Sequence, residues 1–288
     1  ITTAFFLARL NRAPHARAFA GQSTPWPVAL ADQSTNPVLD GELHAHAAAA
    51  QALLYPVAAD LLATTGRPVD LCGFEANPAR LGDAASAAAS VPGIALTQLG
   101  ALIDAAELGY NPAKAKPIAV LGHSQGVLAV HMVQAIEQAG SIAAATAQID
   151  EILAIATLIG VAGTRQARQL GLAARHGEAT PMLSVKDITR AQVDTLIARV
   201  SGVHGPIAVA VANSATHYVL SGYPEDLAAF GVEVAKVHRR QAKLREEKVR
   251  GGRVFDPVLE YLDVTLPFHS PLMAEAVSQT VSWAQSCG

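Results

Sequence analysis

The apolar and polar positions fall into two patterns along the chain. Over roughly the first 177 residues, small apolar residues recur at helical spacing in 41–65 and 97–108. Between them stand short continuous apolar runs such as 117–121. A period near 3.6 predicts amphipathic helices, and short apolar runs bounded by turn residues predict buried strands. Their alternation predicts helices packed on a mostly parallel sheet. Residues 16–20 and 118–121 are its best internal strands.

The pattern changes near His176-Gly177-Glu178-Ala179-Thr180-Pro181, which reads as a linker. A short strand at 182–185 follows. Thr189 is then an N-cap with Gln192 three residues on, a capping box opening a helix to about residue 200. Runs 206–212 and 217–221 are β-rich and flank an Asn213-Ser214-Ala215-Thr216 turn. A helix from Pro224 to about Val237 follows, then a basic loop, then a strand near 261–265 expected to return to the first block. Strand–helix–strand–strand–helix is the ferredoxin-like order. The expected fold class is therefore α/β. A large α/β-hydrolase-like domain (1–178 and 254–288) would carry an inserted, small ferredoxin-like α+β subdomain (179–253).

Composition narrows the classes. With 51% hydrophobic and 16% charged residues in 288, wholesale disorder is excluded. The most continuous apolar run, 152–163, has 12 residues, short of the roughly 20 that a spanning helix needs. Two cysteines, Cys72 and Cys287, make neither a disulfide framework nor a multi-thiolate site. With no secretory signal in view, a cytoplasmic setting is expected. The chain starts at Ile1 and reads as a fragment of a longer polypeptide. No cluster has metal-ligand spacing, and no permanently bound cofactor is expected.

The formal charge of −3 is unevenly placed: residues 236–253 carry +6, leaving −9 elsewhere. That stretch is either a solvated face or a landing strip for a polyphosphate or an acidic protein. Nucleic acid fits poorly, because no aromatics interleave the cations.

The sharpest motif is Gly122-His123-Ser124-Gln125-Gly126, between an apolar strand and a helix reaching about Gln138. That context is the one a nucleophile elbow requires. Ser124 needs a base to become a nucleophile. Among ten histidines, His269 in Pro267-Phe268-His269-Ser270-Pro271 is the best placed, in a proline-bounded turn just past a strand. After the first strand comes Phe19-Ala20-Gly21-Gln22. The amides of Gln22 and Gln125 can form an oxyanion hole, each donor worth roughly 2.7–4 kcal/mol in a transition state.

These motifs, with Asn213 and Val219-Leu220-Ser221-Gly222, occur in the order of the malonyl/acetyl transacylase family, from Phe19 to about Met273. The chain most resembles the acetyltransferase domain of type I fatty acid synthases. The resemblance implies ping-pong transfer. Ser124 attacks an acyl-CoA thioester with His269 as base, and the phosphopantetheine thiol of acyl carrier protein collects the acyl group. It also implies a site between the two domains, with Asn213 facing it. Malonyl-specific members carry an arginine on a helix after the elbow. Here Ile159 stands at that place, so acetyl or another uncharged acyl group is expected. Phe268 is either a wall of the acyl pocket or ordinary core. His123 is either a pocket residue or a hydrogen-bonded structural imidazole.

Three other readings compete. A malonyl-selective transacylase would need a different partner for the carboxylate. A hydrolase-type thioesterase needs an acid between Ser124 and His269, for which Asp256 and Asp263 are candidates. A docking or scaffold module would have a decayed site, which intact Ser124 and His269 argue against.

Overall fold

Among the described residues two separate sheets organise the chain. The computed structural model describes residues 10–21, 26–72, 86–172, 179–200, 203–246 and 255–288. Two units are compact: residues 1–165 with 277–288, and residues 166–276.

In the first unit β1 (Ala16–Phe19) pairs in parallel with β2 (Ala119–Gly122), Ala16 opposite Ala119 and Phe19 opposite Gly122. Among the described residues this parallel sheet has two strands. Its helices are α1 (Trp26–Gln33), α2 (Pro37–Leu53), α3 (Ala58–Thr65), α4 (Ala87–Glu107), α5 (Val127–Ala139) and most of α6 (Thr146–Gln169). Helix α4 is the core element. Its glycines let neighbours approach: a β-carbon on Gly93 would lie 2.4 Å from the Trp26 ring, and one on Gly160 of α6 2.3 Å from the Ala87 carbonyl oxygen. The Ala-rich composition is thus a packing device, since small side chains let helices close on one another.

One buried cation braces the sheet. Arg17 on β1 donates through Nε to the Tyr110 hydroxyl, through Nη1 to Glu137 (3.1 Å) and through Nη2 to the carbonyls of Pro112 (3.0 Å) and Ala115 (3.3 Å). A buried guanidinium is tolerable when its donors are taken up in this way.

Counting continuous apolar residues understates two helical stretches. Ala87–Glu107 and Ala143–Gln169 reach mean hydropathies of 1.3 and 1.5 and are long and apolar enough to cross a membrane by composition. Thr and Gly interrupt a strict run without making a helix polar. Within the protein 83% of the first window is buried, as befits a core helix, and 56% of the second.

The second unit has a four-stranded antiparallel sheet in the order β4-β5-β3-β6: β3 (Met182–Lys186), β4 (Ala208–Ser214), β5 (His217–Ser221) and β6 (Val258–Tyr261). With α7 (Arg190–Ile197) and α8 (Pro224–Glu246) this is the ferredoxin-like connectivity. Leu183, Val185, Tyr218 and Leu220 of the sheet pack against Val193, Leu196, Leu227, Phe230 and Val234 of the helices. The Thr189–Gln192 capping box is present at the start of α7. Buried Asp226 accepts backbone N–H bonds from Val203, His204 and Gly205 at 3.0–3.3 Å. The last helix, α9 (Ala274–Cys287), falls mostly in the first unit.

Three expectations are corrected. The strand predicted near 261–265 does not return to the α/β unit. Residues 262–265 are not strand; the segment that pairs is β6, three residues earlier, with Lys186 opposite Val258 and Leu183 opposite Tyr261, and residues 255–276 group with the small unit. Without it, the outer edge of β3 would leave its backbone groups unpaired. Helix α8 continues to Glu246 instead of ending near Val237, because Lys, Arg, Gln, Ala and Leu all favour helix there. Asn213 lies on β4, and only Ala215-Thr216 form the turn.

Phe230→Ala is expected to lose about 3–5 kcal/mol of unfolding free energy, and Thr189→Ala about 1 kcal/mol. Urea titration followed by circular dichroism measures both.

Candidate active site

Everything at Ser124 follows from backbones meeting where side chains are absent. Strand β2 ends at Gly122, a short 3-10 turn spans Ser124–Gly126, and α5 begins at Val127. A β-carbon on Gly122 would sit 2.6 Å from the Gly126 carbonyl group. One on Gly126 would sit 2.3 Å from the Phe19 oxygen, and one on Gly21 2.6 Å from the His123 oxygen. All three contacts are with backbone, so no rotamer change relieves them. The His123 N–H donates to the Phe19 carbonyl at 2.9 Å, tying the turn to the end of β1. Squeezed this way, Ser124 takes a left-handed φ of 53°. Such a backbone costs on the order of 1–3 kcal/mol and persists only where its surroundings over-determine it.

Gly21 also lies next to the amide of Gln125: a β-carbon there would be 3.3 Å from that nitrogen and 3.0 Å from the Ser124 β-carbon. The first loop therefore borders the serine and one of the two expected oxyanion donors. Gln22, the other expected donor, lies outside the described residues. Two glutamines fasten these loops to α4. Gln98 Nε2 donates to the Ala20 carbonyl at 2.7 Å, and Gln125 Nε2 donates to the carbonyl of Val91. Ser124 is half-buried and His123 exposed.

Ile159 is half-buried on α6, beside Gly160 and its contact with Ala87. Arg165, further along that helix, donates to the Gln279 side chain at 3.1 Å.

The second unit holds Asn213, Phe268 and His269. His269 is exposed and has a left-handed φ of 56°. Its turn is fixed locally: Phe268 N–H donates to Leu266 O at 2.9 Å, and Ser270 Oγ donates to Pro267 O at 2.6 Å. Phe268 is half-buried and packs against the apolar cluster of Met182, Val219 and Val264. Asn213 is exposed and its Nδ2 lies 3.5 Å from His217 Nε2, which in turn meets Ser184 Oγ at 3.1 Å. Asp256, one acid considered for a hydrolase, instead faces His238 at 3.2 Å. Asp263, the other, is exposed. A left-handed φ is not by itself a functional mark, since Asp187 has φ 59° in the turn after β3.

Several supporting residues escape the sequence reading. Gln98 and Arg17 are polar residues inside apolar segments, and that mismatch is the one signal that marks them. His46 on α2 and Asp150 on α6 form a buried pair at 2.6 Å, a hundred residues apart.

A strained serine between a strand and a helix, bordered by a glycine loop, defines an elbow-bearing α/β protein. The family described as the fatty acid synthase central AT domain matches residues 181–261. Fatty acid synthase 2 of Mycosarcoma maydis is 27% identical over 173 residues, covering 57% of this chain and 5% of that protein. The fatty acid synthase beta subunit hexB of Dothistroma septosporum is 27% identical over 169 residues, covering 54% of this chain and 9% of its own length. The chain thus spans less than a tenth of these curated relatives. A malonyl CoA-acyl carrier protein transacylase from Clostridium perfringens has the same fold, with a TM-score of 0.55 at 17% identity, over 95% of this chain and 68% of that one. Over part of its length the chain is thus similar in sequence to fatty acid synthases, and its fold is that of the transacylase.

Gly126→Ala is expected to destabilise the first unit by about 1–3 kcal/mol through overpacking. It should also abolish labelling of Ser124 by a fluorophosphonate. Thermal melts and intact-mass spectrometry read the two effects.

Proposed function

We propose that this chain is a transacylase domain of a fatty acid synthase, moving an acetyl or similar uncharged acyl group from CoA to the phosphopantetheine thiol of an acyl carrier protein. The observation that carries the reading is the left-handed Ser124 at the end of β2, pressed against Gly21. The first unit is read as a hydrolase-like core, with the elbow in its usual place between strand and helix. The setting is read as cytoplasmic, with the other domains of the synthase as neighbours.

In the first half-reaction the Ser124 hydroxyl attacks the thioester carbonyl while His269 accepts its proton. The carbon–sulfur bond breaks, CoA leaves as the thiol after taking that proton back, and an acyl-serine ester remains. In the second half-reaction His269 accepts the proton of the carrier thiol as its sulfur attacks the ester. The proton returns to Ser124 Oγ as the thioester forms. Acid–base help of this kind contributes typically about 10²–10⁴-fold. The Gln125 and Gln22 amides take the oxyanion in both halves.

Ile159 underlies the preference for uncharged groups. Leaving a buried carboxylate without its partner typically costs about 3–5 kcal/mol. The nearby cation Arg165 is engaged with Gln279 and lies about 240° round the helix from Ile159. Asn213, Phe268 and His123 are read as further lining groups.

Intact-mass spectrometry after mixing with acetyl-CoA should show one acetyl group on the chain, absent in Ser124→Ala. His269→Ala should slow loading by about 10²–10⁴-fold. No loading of the unaltered chain overturns the transferase reading, and rapid release of free acetate without a thiol makes the protein a hydrolase.

Malonyl-CoA should load at least about tenfold more slowly than acetyl-CoA, and Ile159→Arg should narrow that gap. Malonyl loading as fast as acetyl loading removes the argument from Ile159.

A further inference from the structure

We propose that the exposed face of the second half of α8 is the docking surface for the acidic acceptor protein that brings the thiol, an inference that rests on the transacylase reading. Lys236, Arg239, Arg240 and Lys243 are all exposed on this helix. At 100° per residue they fall within an arc of roughly 100°, and they span about 10 Å of helix. Lys236 is partly neutralised by Glu233, whose carboxylate lies 2.6 Å from its Nζ. Among the described residues Arg239 and Arg240 have no ion-pair partner.

Ordinary explanations account for part of this stripe only. Cations in the last turn, Lys243 and Arg245, complement the helix dipole. Arg239 and Arg240 lie a turn or more before it, beyond the reach of that effect. A merely solvated helix face ordinarily mixes signs, with acids three or four residues from bases. Here no acid stands between Glu233 and Glu246.

The platform beneath the stripe is fixed. On the other side of the helix Val234 and Val237 enter the core. His238 Nδ1 meets the Phe255 carbonyl at 2.9 Å, and the Phe255 N–H donates to Gln241 Oε1 at 2.9 Å. The arginines therefore stand on a rigid element. Residues 236–246 of the helix carry +4 against −7 for the rest of the sequence, so an acidic body is drawn to this face. A convex helix face suits a protein surface better than a nucleotide, which is held in a concave site. The occupant is the acidic surface of the carrier protein.

The test compares the unaltered chain with Arg239→Glu/Arg240→Glu and Arg239→Gln/Arg240→Gln in three assays: loading of Ser124 from acetyl-CoA, transfer to free pantetheine, and transfer to acyl carrier protein. Charge reversal should raise KM for the carrier about tenfold or more, neutralisation by about threefold, with kcat within about twofold. Loading and transfer to pantetheine should not change. In the unaltered chain KM for the carrier should rise with added NaCl, and in the reversed variant it should rise far less. An unchanged KM for the carrier, with normal loading, overturns the docking surface alone. A raised KM for acetyl-CoA assigns the stripe to the CoA phosphates and overturns it also. Failure of the unaltered chain to load any acyl group removes the transacylase reading and this inference together.

Discussion

The first unit depends on the absence of three β-carbons. At Gly21, Gly122 and Gly126, backbone from the ends of two parallel strands meets backbone of the turn that follows the second, at distances no side chain permits. This crowding shapes the turn at Ser124. It holds the loop after β1 against the serine, places the Gln125 amide beside it, and drives Ser124 into the left-handed region. Strain of that kind survives only when the frame is stiff. The stiffness comes from α4, which receives the Gln125 side chain at Val91 and sends Gln98 to the Ala20 carbonyl.

The second unit reaches a comparable local result by other means. There the sheet supplies the frame. Phe268, half-buried, packs against the apolar cluster on one face of the sheet, and the next residue, His269, is left exposed with a left-handed backbone. Prolines on both sides of that turn reduce the conformations available to the unfolded chain, which favours the ordered turn. The packing of Phe268 and the exposure of His269 are two consequences of one turn.

Buried polar groups elsewhere serve the frame. Arg17 spends its donors on a hydroxyl, a carboxylate and two carbonyls. Asp226 accepts three backbone N–H groups. His46 and Asp150 satisfy each other between two helices. Burying a polar or charged group is costly unless its hydrogen bonds are met, so each of these networks specifies one arrangement of the elements it joins.

The sequence by itself determined what neighbouring residues decide. The capping box needs only Thr189 and Gln192. The elbow motif needs only the five residues from Gly122 to Gly126 between a strand and a helix. The alternation of strand and helix after residue 181 is enough to give the strand–helix–strand–strand–helix part of the ferredoxin-like order. Tertiary structure decided what depends on partners far along the chain. The edge of β3 drew in β6, because backbone groups on a strand edge must be paired by whatever segment can reach them. Gly21 matters because of atoms a hundred residues later, and Gln98 because of a carbonyl seventy-eight residues earlier. Spacing rules express forces that act over about one helical turn or one strand pair. Which distant surfaces meet is settled by packing density and hydrogen-bond satisfaction, and those belong to the folded whole.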